Sequence, residues 1–209
     1  SQRYGKGLII YDNLSFDVPK GRILGLLGKN GTGKTTTINI LMGYLRPQSG
    51  VCKIFGEDIT KMSAATRERI ALLLEGHVQY AFMTIGQIER FYSQFYIKWN
   101  RAAYYELMEK LKVTPDKKLS SRSCVQRSQV AWGLILAQNA DLLELVDFSL
   151  VLDQGDSRLF TDYLREYAKA ENKTVFMTSH INQDMERLVD DCIILDYCRK
   201  LEQKQVKEL

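Results

Sequence analysis

Apolar and polar positions along the chain follow two alternating patterns. Short apolar runs typical of buried strands cover 22–28, 51–55, 70–74, 141–146, 174–178 and 192–196. Apolar residues at helical spacing cover 35–43 and 156–169. Strands that alternate with helices in this way predict an α/β fold, in which a largely parallel sheet carries helices on its faces.

The stretch between the third and fourth of these runs has a purely helical pattern. Thr84 followed by Gln87 predicts a capping box at the start of a helix. Asn100 is placed to cap a second helix over 101–111, and 126–138 has apolar residues at helical spacing. The middle of the chain therefore predicts a group of helices without strands.

These patterns predict a single domain, 1–209, with an insertion. The core is expected to consist of about 1–75 and 140–209, and an all-helical subdomain is expected over about 76–139. This subdomain is rich in aromatic residues, which form either its own core, the interpretation that we favour, or an exposed docking surface. The aromatic residues concerned are Phe91, Tyr92, Phe95, Tyr96, Trp99, Tyr104 and Tyr105.

Composition and charge exclude several classes of protein. The 209 residues are 45% hydrophobic and 26% charged, as in ordinary globular domains, which excludes collagen-like and wholly disordered chains. The net charge is only +4 and both signs are interspersed, so no nucleic-acid partner is expected. No apolar run reaches the roughly 18 to 20 residues of a membrane helix, and the four cysteines form no CxxC pair. A soluble, cytosolic protein is expected.

A phosphate-binding pattern follows the first apolar run directly. Residues 28–35 read Gly-Lys-Asn-Gly-Thr-Gly-Lys-Thr, which fits GxxxxGK[ST] between a strand and a helix. Glycines let the backbone fold around an anion, so that N–H groups and the positive end of the helix point at it. Lys34 is expected to contact the β and γ phosphates, and Thr35 to offer its hydroxyl to Mg²⁺. The predicted binding residues of this loop are Gly28, Asn30, Gly31, Thr32, Gly33, Lys34, Thr35 and Thr36.

The wider sequence around this loop resembles a known family. Residues 19–27 read Pro-Lys-Gly-Arg-Ile-Leu-Gly-Leu-Leu, and two further threonines follow the loop. This run resembles the ATP-binding subunits of ABC transporters, and the resemblance covers nearly the whole chain. It implies a P-loop NTPase-type fold with an N-terminal antiparallel β portion, and ATP and Mg²⁺ as cofactors.

The resemblance also implies roles for residues outside the loop and for partners. Tyr4 falls where the family has an aromatic residue that stacks on adenine, His180 where it has the histidine that contacts the γ-phosphate, and Asp153 where it has the D-loop aspartate. Family members form dimers that enclose two ATP molecules, which implies a homodimer or a heterodimer here. The helical subdomain would dock on a transmembrane permease subunit, so the chain would lie at the cytoplasmic face of the membrane.

The strand that the family ends with a Mg²⁺-linked aspartate differs here. Val146 occupies the position of this aspartate, and Asp147 that of the catalytic glutamate that follows it. Valine cannot hydrogen-bond a metal-bound water. Glu144 has the correct face but lies about 6.5 Å back along the strand, whereas the side chain of Asp147 turns to the opposite face. Asp147 is also one methylene shorter than glutamate, so it is expected to orient the attacking water poorly.

The segment that aligns with the family's LSGGQ signature is altered as well. Residues 122–126 read Arg-Ser-Cys-Val-Gln, in which Ser123 and Gln126 match. Cysteine and valine replace two glycines whose N–H groups would approach the partner's γ-phosphate. Ser123 is predicted either to contact nucleotide or to cap the following helix. Glu75 lies near the position of the family's Mg²⁺-contacting glutamine.

Two functions are compatible with these features. The first is the ATP-binding subunit of an ABC transporter, an ATPase with Lys34, Asp147 and His180 as catalytic residues, whose activity is impaired by Val146 and the altered signature. The alternative is a non-hydrolysing module in which nucleotide binding regulates or assembles a partner. Both functions use the intact phosphate loop, so the rate of hydrolysis separates them.

Overall fold

The computed structural model of the chain contains one large sheet and two small ones. The structure describes residues 1–4, 8–12, 14–74, 80–146, 157–179, 187–195 and 201–205. The strands in these ranges are β1 (Gln2–Tyr4), β2 (Leu8–Tyr11), β3 (Ile23–Gly28), β4 (Lys53–Ile54), β5 (Glu57–Asp58), β6 (Ile70–Leu73), β7 (Leu142–Leu145), β8 (Thr174–Ser179), β9 (Asp191–Leu195) and β10 (Leu201–Gln205).

The large sheet is almost entirely parallel, as the sequence predicts. Its six strands lie in the order β10-β9-β3-β8-β7-β6, and only β10 runs antiparallel to its neighbour. The small sheets, β1-β2 and β4-β5, are antiparallel and precede β6 in the chain, which agrees with the predicted N-terminal antiparallel portion. The strand β3, which precedes the phosphate loop, lies in the interior of the large sheet between β8 and β9.

One predicted strand differs in length and partner. The run 51–55 forms only the short strand β4, which pairs with β5 and takes no part in the large sheet. The chain turns directly after β4, because Phe55 and Gly56 both have left-handed backbone conformations, with φ of 50° and 84°. This turn reverses the chain and prevents a longer strand.

Six α-helices are described, and side-chain caps begin several of them. They are α1 (Lys34–Leu41), α2 (Ala64–Arg67), α3 (Ile85–Tyr92), α4 (Arg101–Lys110), α5 (Cys124–Ala137) and α6 (Ser157–Ala170). The predicted capping box of α3 is confirmed, since Thr84 accepts from the N–H of Gln87 and the Gln87 side chain accepts from the N–H of Thr84. Asn100 caps α4 as expected. Within the described ranges, no helix has the length and apolarity needed to cross a membrane.

The two faces of the large sheet bury different cores. Side chains alternate along β7, so Leu143 and Leu145 face the core that includes α4 and α5, whereas Leu142 and Val146 face the core that includes α1. Trp132 of α5 lies fully buried on the first side, and Ile38 of α1 on the second. The phosphate-loop helix and the helices of the middle segment therefore pack on opposite faces of the sheet.

The aromatic residues of the helical segment divide between core and surface. Tyr104 is fully buried, and its hydroxyl donates to the Ile85 carbonyl. Phe82 and Phe95, in contrast, are 68% and 61% exposed. Tyr104 therefore forms core, as we favour, whereas Phe95 lies at the surface, and docking through such exposed rings stays a prediction.

Candidate phosphate-binding site

The phosphate loop lies at the carboxyl edge of the large sheet. Strand β3 ends at Gly28, and α1 begins at Lys34, so only 29–33 separate them. Ligands of open parallel sheets bind at this edge, beyond the carboxyl ends of the strands. The neighbouring strand β9 ends beside the loop, with Leu195 in register with Gly28.

The glycines of the loop occupy positions that other residues cannot easily take. Gly31 and Gly33 have φ of 82° and 104°, in the left-handed region. A Cβ atom on Gly28 would lie 2.7 Å from the Leu195 carbonyl oxygen and 2.7 Å from the Thr32 hydroxyl. Gly33 is also the N-cap of α1 and has no side chain to bind the first N–H groups of the helix. This end of α1 therefore presents N–H groups and the positive end of the helix dipole to an anion.

Lys34 is held within the loop rather than in solvent. Its side chain is buried, with 5% of the residue exposed. The ammonium donates to the carbonyl oxygens of Gly28 and Lys29 at 2.8 and 3.1 Å. A phosphate in the loop would offer the same ammonium an anionic acceptor, which binds it more strongly than a neutral carbonyl does.

The remaining loop residues either support the loop or face outward. Thr32 is buried, and its hydroxyl donates to the Lys29 carbonyl at 2.9 Å. Thr36 is also buried, whereas Asn30 and Thr35 are exposed. The exposed positions are those available to a ligand, and Thr35 is among them.

The position of the family's aspartate is apolar in the structure. Val146 directly follows β7, is only 5% exposed and packs in the apolar cluster that contains Leu26, Ile38 and Phe176. Its N–H donates to the Leu73 carbonyl of the neighbouring strand at 2.9 Å. The Val146 side chain is therefore part of the apolar core and offers no oxygen to a metal ion or a water molecule.

Glu144 does not replace the missing aspartate. It lies within β7 in register with Leu72 on one side and Phe176 on the other. Its exposed fraction is 0%, and neither carboxyl oxygen has a hydrogen-bond partner in the described part of the protein. Burial raises the pKa of Glu144 from 4.5 to about 8. The carboxyl is therefore largely protonated at neutral pH and enclosed by apolar neighbours.

The described donor atoms do not by themselves form a Mg²⁺ site. Magnesium requires several oxygen ligands in near-octahedral geometry. Of the two predicted protein ligands, Thr35 is exposed at the start of α1 and Glu75 lies outside the described residues. No group of three or more His, Cys, Asp or Glu side chains suited to a metal occurs in the described ranges.

Four other predicted site side chains lie outside the part of the chain that the structure describes. Asp147, Asp153 and His180 lie outside the described residues. For Tyr4 the backbone is described, as the last residue of β1, but not the side chain. The structure therefore brings together the loop residues. The positions of these four side chains stay predictions.

Ser123 has the capping role that the sequence left open. It is the N-cap of α5, and its hydroxyl accepts from the N–H of Gln126 at 3.2 Å. Arg122, the residue before it, donates to the Thr114 hydroxyl at 2.9 Å. Both matching residues of the altered signature, Ser123 and Gln126, thus join in one helix cap.

One polar side chain at the loop was not singled out by the sequence. Ser179 is the last residue of β8 and lies in register with Leu27 of β3, next to the phosphate loop. It is fully buried, and its hydroxyl has no hydrogen-bond partner within the described ranges. A polar residue at the carboxyl end of a buried strand is the signal that would have found it.

Comparisons with known proteins agree with this geometry. The family model described as "ABC transporter" matches residues 11–147. The chain is 29% identical over 205 residues to the Nod factor export ATP-binding protein I of Burkholderia orbicola (strain AU 1054), covering 96% of this chain and 67% of that protein. It is 31% identical over 194 residues to the bacitracin transport ATP-binding protein BcrA of Bacillus licheniformis, covering 92% and 63%. The chain thus spans about two thirds of the length of these curated relatives.

Solved structures have the same fold. A structure described as the ATP-binding subunit of an ABC transporter matches with a TM-score of 0.84 at 21% identity, over 99% of this chain and 88% of that one. An ATP-binding cassette described as MJ1267 matches with a TM-score of 0.79. The range matched by the family model, 11–147, includes the phosphate loop and β7. The chain therefore belongs to the ABC transporter family, as an ATP-binding domain of that family.

Proposed function

We propose that this domain binds ATP through the loop 28–36 and hydrolyses it weakly at most. The observation that carries the proposal is the loop itself, in which Gly31 and Gly33 take left-handed conformations and Lys34 is buried with its ammonium inside the loop. These features supply N–H donors, a helix dipole and a positive charge at one point. A triphosphate is the ligand whose charge they match.

Impaired hydrolysis follows from the apolar end of β7. The position at the end of β7 that holds the Mg²⁺-linked aspartate in the family holds Val146 here, packed in the apolar core, and Glu144 is buried and largely protonated. The proposed catalytic residues are Lys34, Asp147 and His180, the last two by their sequence positions alone. Asp147 would orient the attacking water, and His180 would donate to the γ-phosphate.

We propose that Mg²⁺ accompanies the nucleotide but depends mainly on the phosphates for its ligands. Thr35 is the one predicted protein ligand in the described ranges, and Glu75 is the second by sequence position. Mg²⁺ commonly keeps several waters and binds through substrate phosphates with few protein ligands. Tyr4 is proposed to stack on the adenine, and Asp153, which matches the D-loop aspartate, is proposed to take part in nucleotide binding.

The proposed partners are a membrane subunit and a second ATP-binding domain. The relatives are named for export or transport, and the surface of the helical segment, proposed to extend over about 76–139, carries the exposed rings of Phe82 and Phe95. Such rings are typical of docking surfaces. The domain would then lie at the cytoplasmic face of a membrane, as one half of a dimer. Serine substitution of both rings is expected to weaken association with the coexpressed membrane subunit, and unchanged association would contradict this partner.

A non-hydrolysing regulatory module is the second candidate, and Val146 is the observation that favours it. In such a module, nucleotide binding alone would change the association of the domain with its partner. It shares the phosphate loop with the first candidate, so it makes the same prediction for ATP binding. The two differ only in turnover.

Calorimetric titration with ATP tests the proposal. We expect the unaltered chain to bind and the Lys34→Ala variant to lose about 1.5–3 kcal/mol, or about 10- to 150-fold in affinity, the amount typical of a hydrogen bond to a charged group. Lys29→Ala is the matched control, because this exposed loop residue contributes its carbonyl rather than its side chain. Equal affinities for the unaltered chain and Lys34→Ala would contradict the assignment of the loop.

A further inference from the structure

The chain makes a tight turn between α3 and α4. The Trp99 N–H donates to the Tyr96 carbonyl at 3.3 Å, as in a hydrogen-bonded β-turn. Ile97 and Lys98 are the two central residues of this turn. The rings of Tyr96 and Trp99 stack with centroids 5.9 Å apart, and Trp99 Nε1 donates to a carboxylate oxygen of Glu89 at 2.8 Å. The base of the turn is therefore fixed to α3, and its two central residues form the tip.

The tip of this turn carries an apolar side chain in water. Glycine, proline, asparagine, aspartate and serine dominate at such positions, because they suit the backbone of turns. Ile97 is instead 89% exposed, the largest exposed fraction of the large apolar side chains in the described ranges. The turn itself does not require an isoleucine, so a partner outside the chain is the explanation that we consider.

Exposed aromatic rings lie next to the tip in the chain. Phe95, two residues before Ile97, is 61% exposed, and its ring centroid lies 5.1 Å from that of Phe91. Phe91 in turn lies 5.1 Å from Tyr80, and Tyr80 lies 6.3 Å from the exposed ring of Phe82. Single exposed apolar residues are normal, whereas contiguous ones mark interaction surfaces. The isoleucine therefore extends an apolar surface rather than standing alone.

The charged groups around the tip are mainly positive. Lys98 at the tip and Arg90 of α3 are both exposed, and neither has an ion pair within the described ranges. Asp141 and Lys173 lie within electrostatic reach of Lys98. Asp141 is already paired with Arg69, whose Nε lies 2.6 Å from its carboxylate. The two exposed cations are therefore available to an anionic partner.

A lipid surface fits this combination of groups. Aromatic and aliphatic side chains bind at the interface of a bilayer, and lysine and arginine pair with anionic headgroups there. A protein partner would cover an isoleucine as well, but the adjacent unpaired cations favour a surface that carries many negative charges. A nucleic acid also carries many negative charges, yet it offers no apolar phase to Ile97 and its aromatic neighbours.

We propose that the turn 96–99 binds an anionic lipid bilayer, with Ile97 inserted among the acyl chains and with Lys98 and Arg90 beside lipid phosphates. This contact goes beyond the proposed function, because it requires neither a nucleotide nor a membrane subunit. One short tip gives weak, reversible binding, since even a single myristoyl chain gives an association constant of only about 10⁴ M⁻¹. We therefore expect half of the isolated domain to be bound at roughly millimolar lipid.

Sedimentation of the chain with sucrose-loaded vesicles tests this proposal. The vesicles contain either phosphatidylcholine alone or equal parts of phosphatidylcholine and phosphatidylglycerol. A basic residue near an anionic surface contributes about fivefold in affinity, so we expect at least about fivefold stronger binding to the anionic vesicles. Added salt is expected to reduce this difference, because it screens the charges of both surfaces. This comparison requires no variant.

Two variants locate the contact on the turn. Ile97→Ser is expected to weaken binding to the anionic vesicles about tenfold, because serine loses the apolar burial, and Lys98→Glu at least about fivefold. Tyr44→Ser and Lys61→Glu are the matched controls and are expected to bind like the unaltered chain. Both controls change exposed residues, one after α1, which packs on the opposite face of the sheet, and one before α2. Urea unfolding confirms that each variant is folded.

Four results would overturn the proposal. They are no sedimentation of the unaltered chain up to about 10 mM anionic lipid, equal binding to the two kinds of vesicle, equal binding by a folded Ile97→Ser variant, and equal loss of binding in the controls. In the first case, weaker association of Ile97→Ser with the coexpressed membrane subunit would assign the turn to a protein contact instead. ATP binding is measured in parallel, so that failure of the lipid contact and failure of the nucleotide site are recognised separately.

Discussion

The ammonium of Lys34 donates a hydrogen bond of 2.8 Å to the carbonyl oxygen of Gly28, which joins the first residue of α1 to the last residue of β3. The same ammonium contacts the Lys29 carbonyl. These contacts hold the loop in a closed form whose shape depends on the backbone conformations between its ends. A loop of this kind is sensitive to substitutions that change the conformations available to the backbone.

Gly33→Ala is expected to destabilise the loop and weaken ATP binding. Gly33 has φ of 104°, and forcing an alanine into a left-handed conformation costs roughly 1–2 kcal/mol. Urea unfolding and ATP titration measure the two effects. Gly86→Ala in α3 is the control, since its added Cβ would lie 3.5 Å from the Pro115 carbonyl, an ordinary contact. Equal stability of the two variants would contradict the assigned strain.

The stability of the domain is expected to decrease with pH because of Glu144. The folded protein keeps the Glu144 proton up to a pKa of about 8, whereas the unfolded chain releases it near 4.5. Between these values the folded state holds the Glu144 proton that the unfolded chain has released, so the stability that Glu144 contributes is greatest below pH 4.5 and falls as the pH rises toward 8. Denaturant unfolding across this range is expected to show up to about a tenfold loss per pH unit in the folding equilibrium constant.

The variant Glu144→Gln isolates this contribution. Glutamine has nearly the same shape but does not titrate, so the difference in stability between the two proteins should change across pH 4.5 to 8 and remain constant above it. A constant difference over the whole range would show that Glu144 is ionised in the folded state.

A different buried carboxylate is expected to stabilise the helical segment. Glu89 of α3 is nearly fully buried and accepts from Trp99 Nε1 at 2.8 Å, Arg101 Nε at 3.0 Å and the Tyr105 hydroxyl at 3.3 Å. Glu89→Ala leaves the indole N–H without its acceptor, so a loss of about 1–3 kcal/mol in the free energy of unfolding is expected.

Thermal or urea unfolding measures the effect of Glu89→Ala. Glu106→Gln is the matched control, because its ion pair with Lys110 joins two exposed side chains one helical turn apart. This control is expected to unfold like the unaltered protein. If Glu89→Ala did so as well, the three contacts of Glu89 would contribute no net stability.

Much of the fold was predictable because turn and helix-cap residues lie next to the apolar runs that form the buried strands. The glycine pattern of 28–33 predicts the loop between β3 and α1, and Thr84 with Gln87 predicts the start of α3. The short strand β4 was less predictable, since its end depends on left-handed conformations at Phe55 and Gly56. Phenylalanine is rarely found in that conformation, and sequence patterns give no signal for it.

The candidate site was predictable only in part. Sequence position indicates that Val146 replaces an aspartate, but not that Glu144, two residues before it, is fully buried without a partner. That finding depends on β6 and β8, which place Leu72 and Phe176 beside it. Contacts between strands distant in sequence determine its environment, and a single sequence does not specify them.

The rate of ATP hydrolysis by the Val146→Asp variant tests the central claim most directly. Steady-state turnover with Mg²⁺ is compared for the unaltered chain, Val146→Asp and the neutral control Val146→Asn, with unfolding measured to confirm that all three are folded. We predict that aspartate at this position raises the rate at least about tenfold, a change of about 1.4 kcal/mol in the barrier, and that asparagine does not. Equal rates for the unaltered chain and Val146→Asp would contradict the claim that the valine impairs hydrolysis.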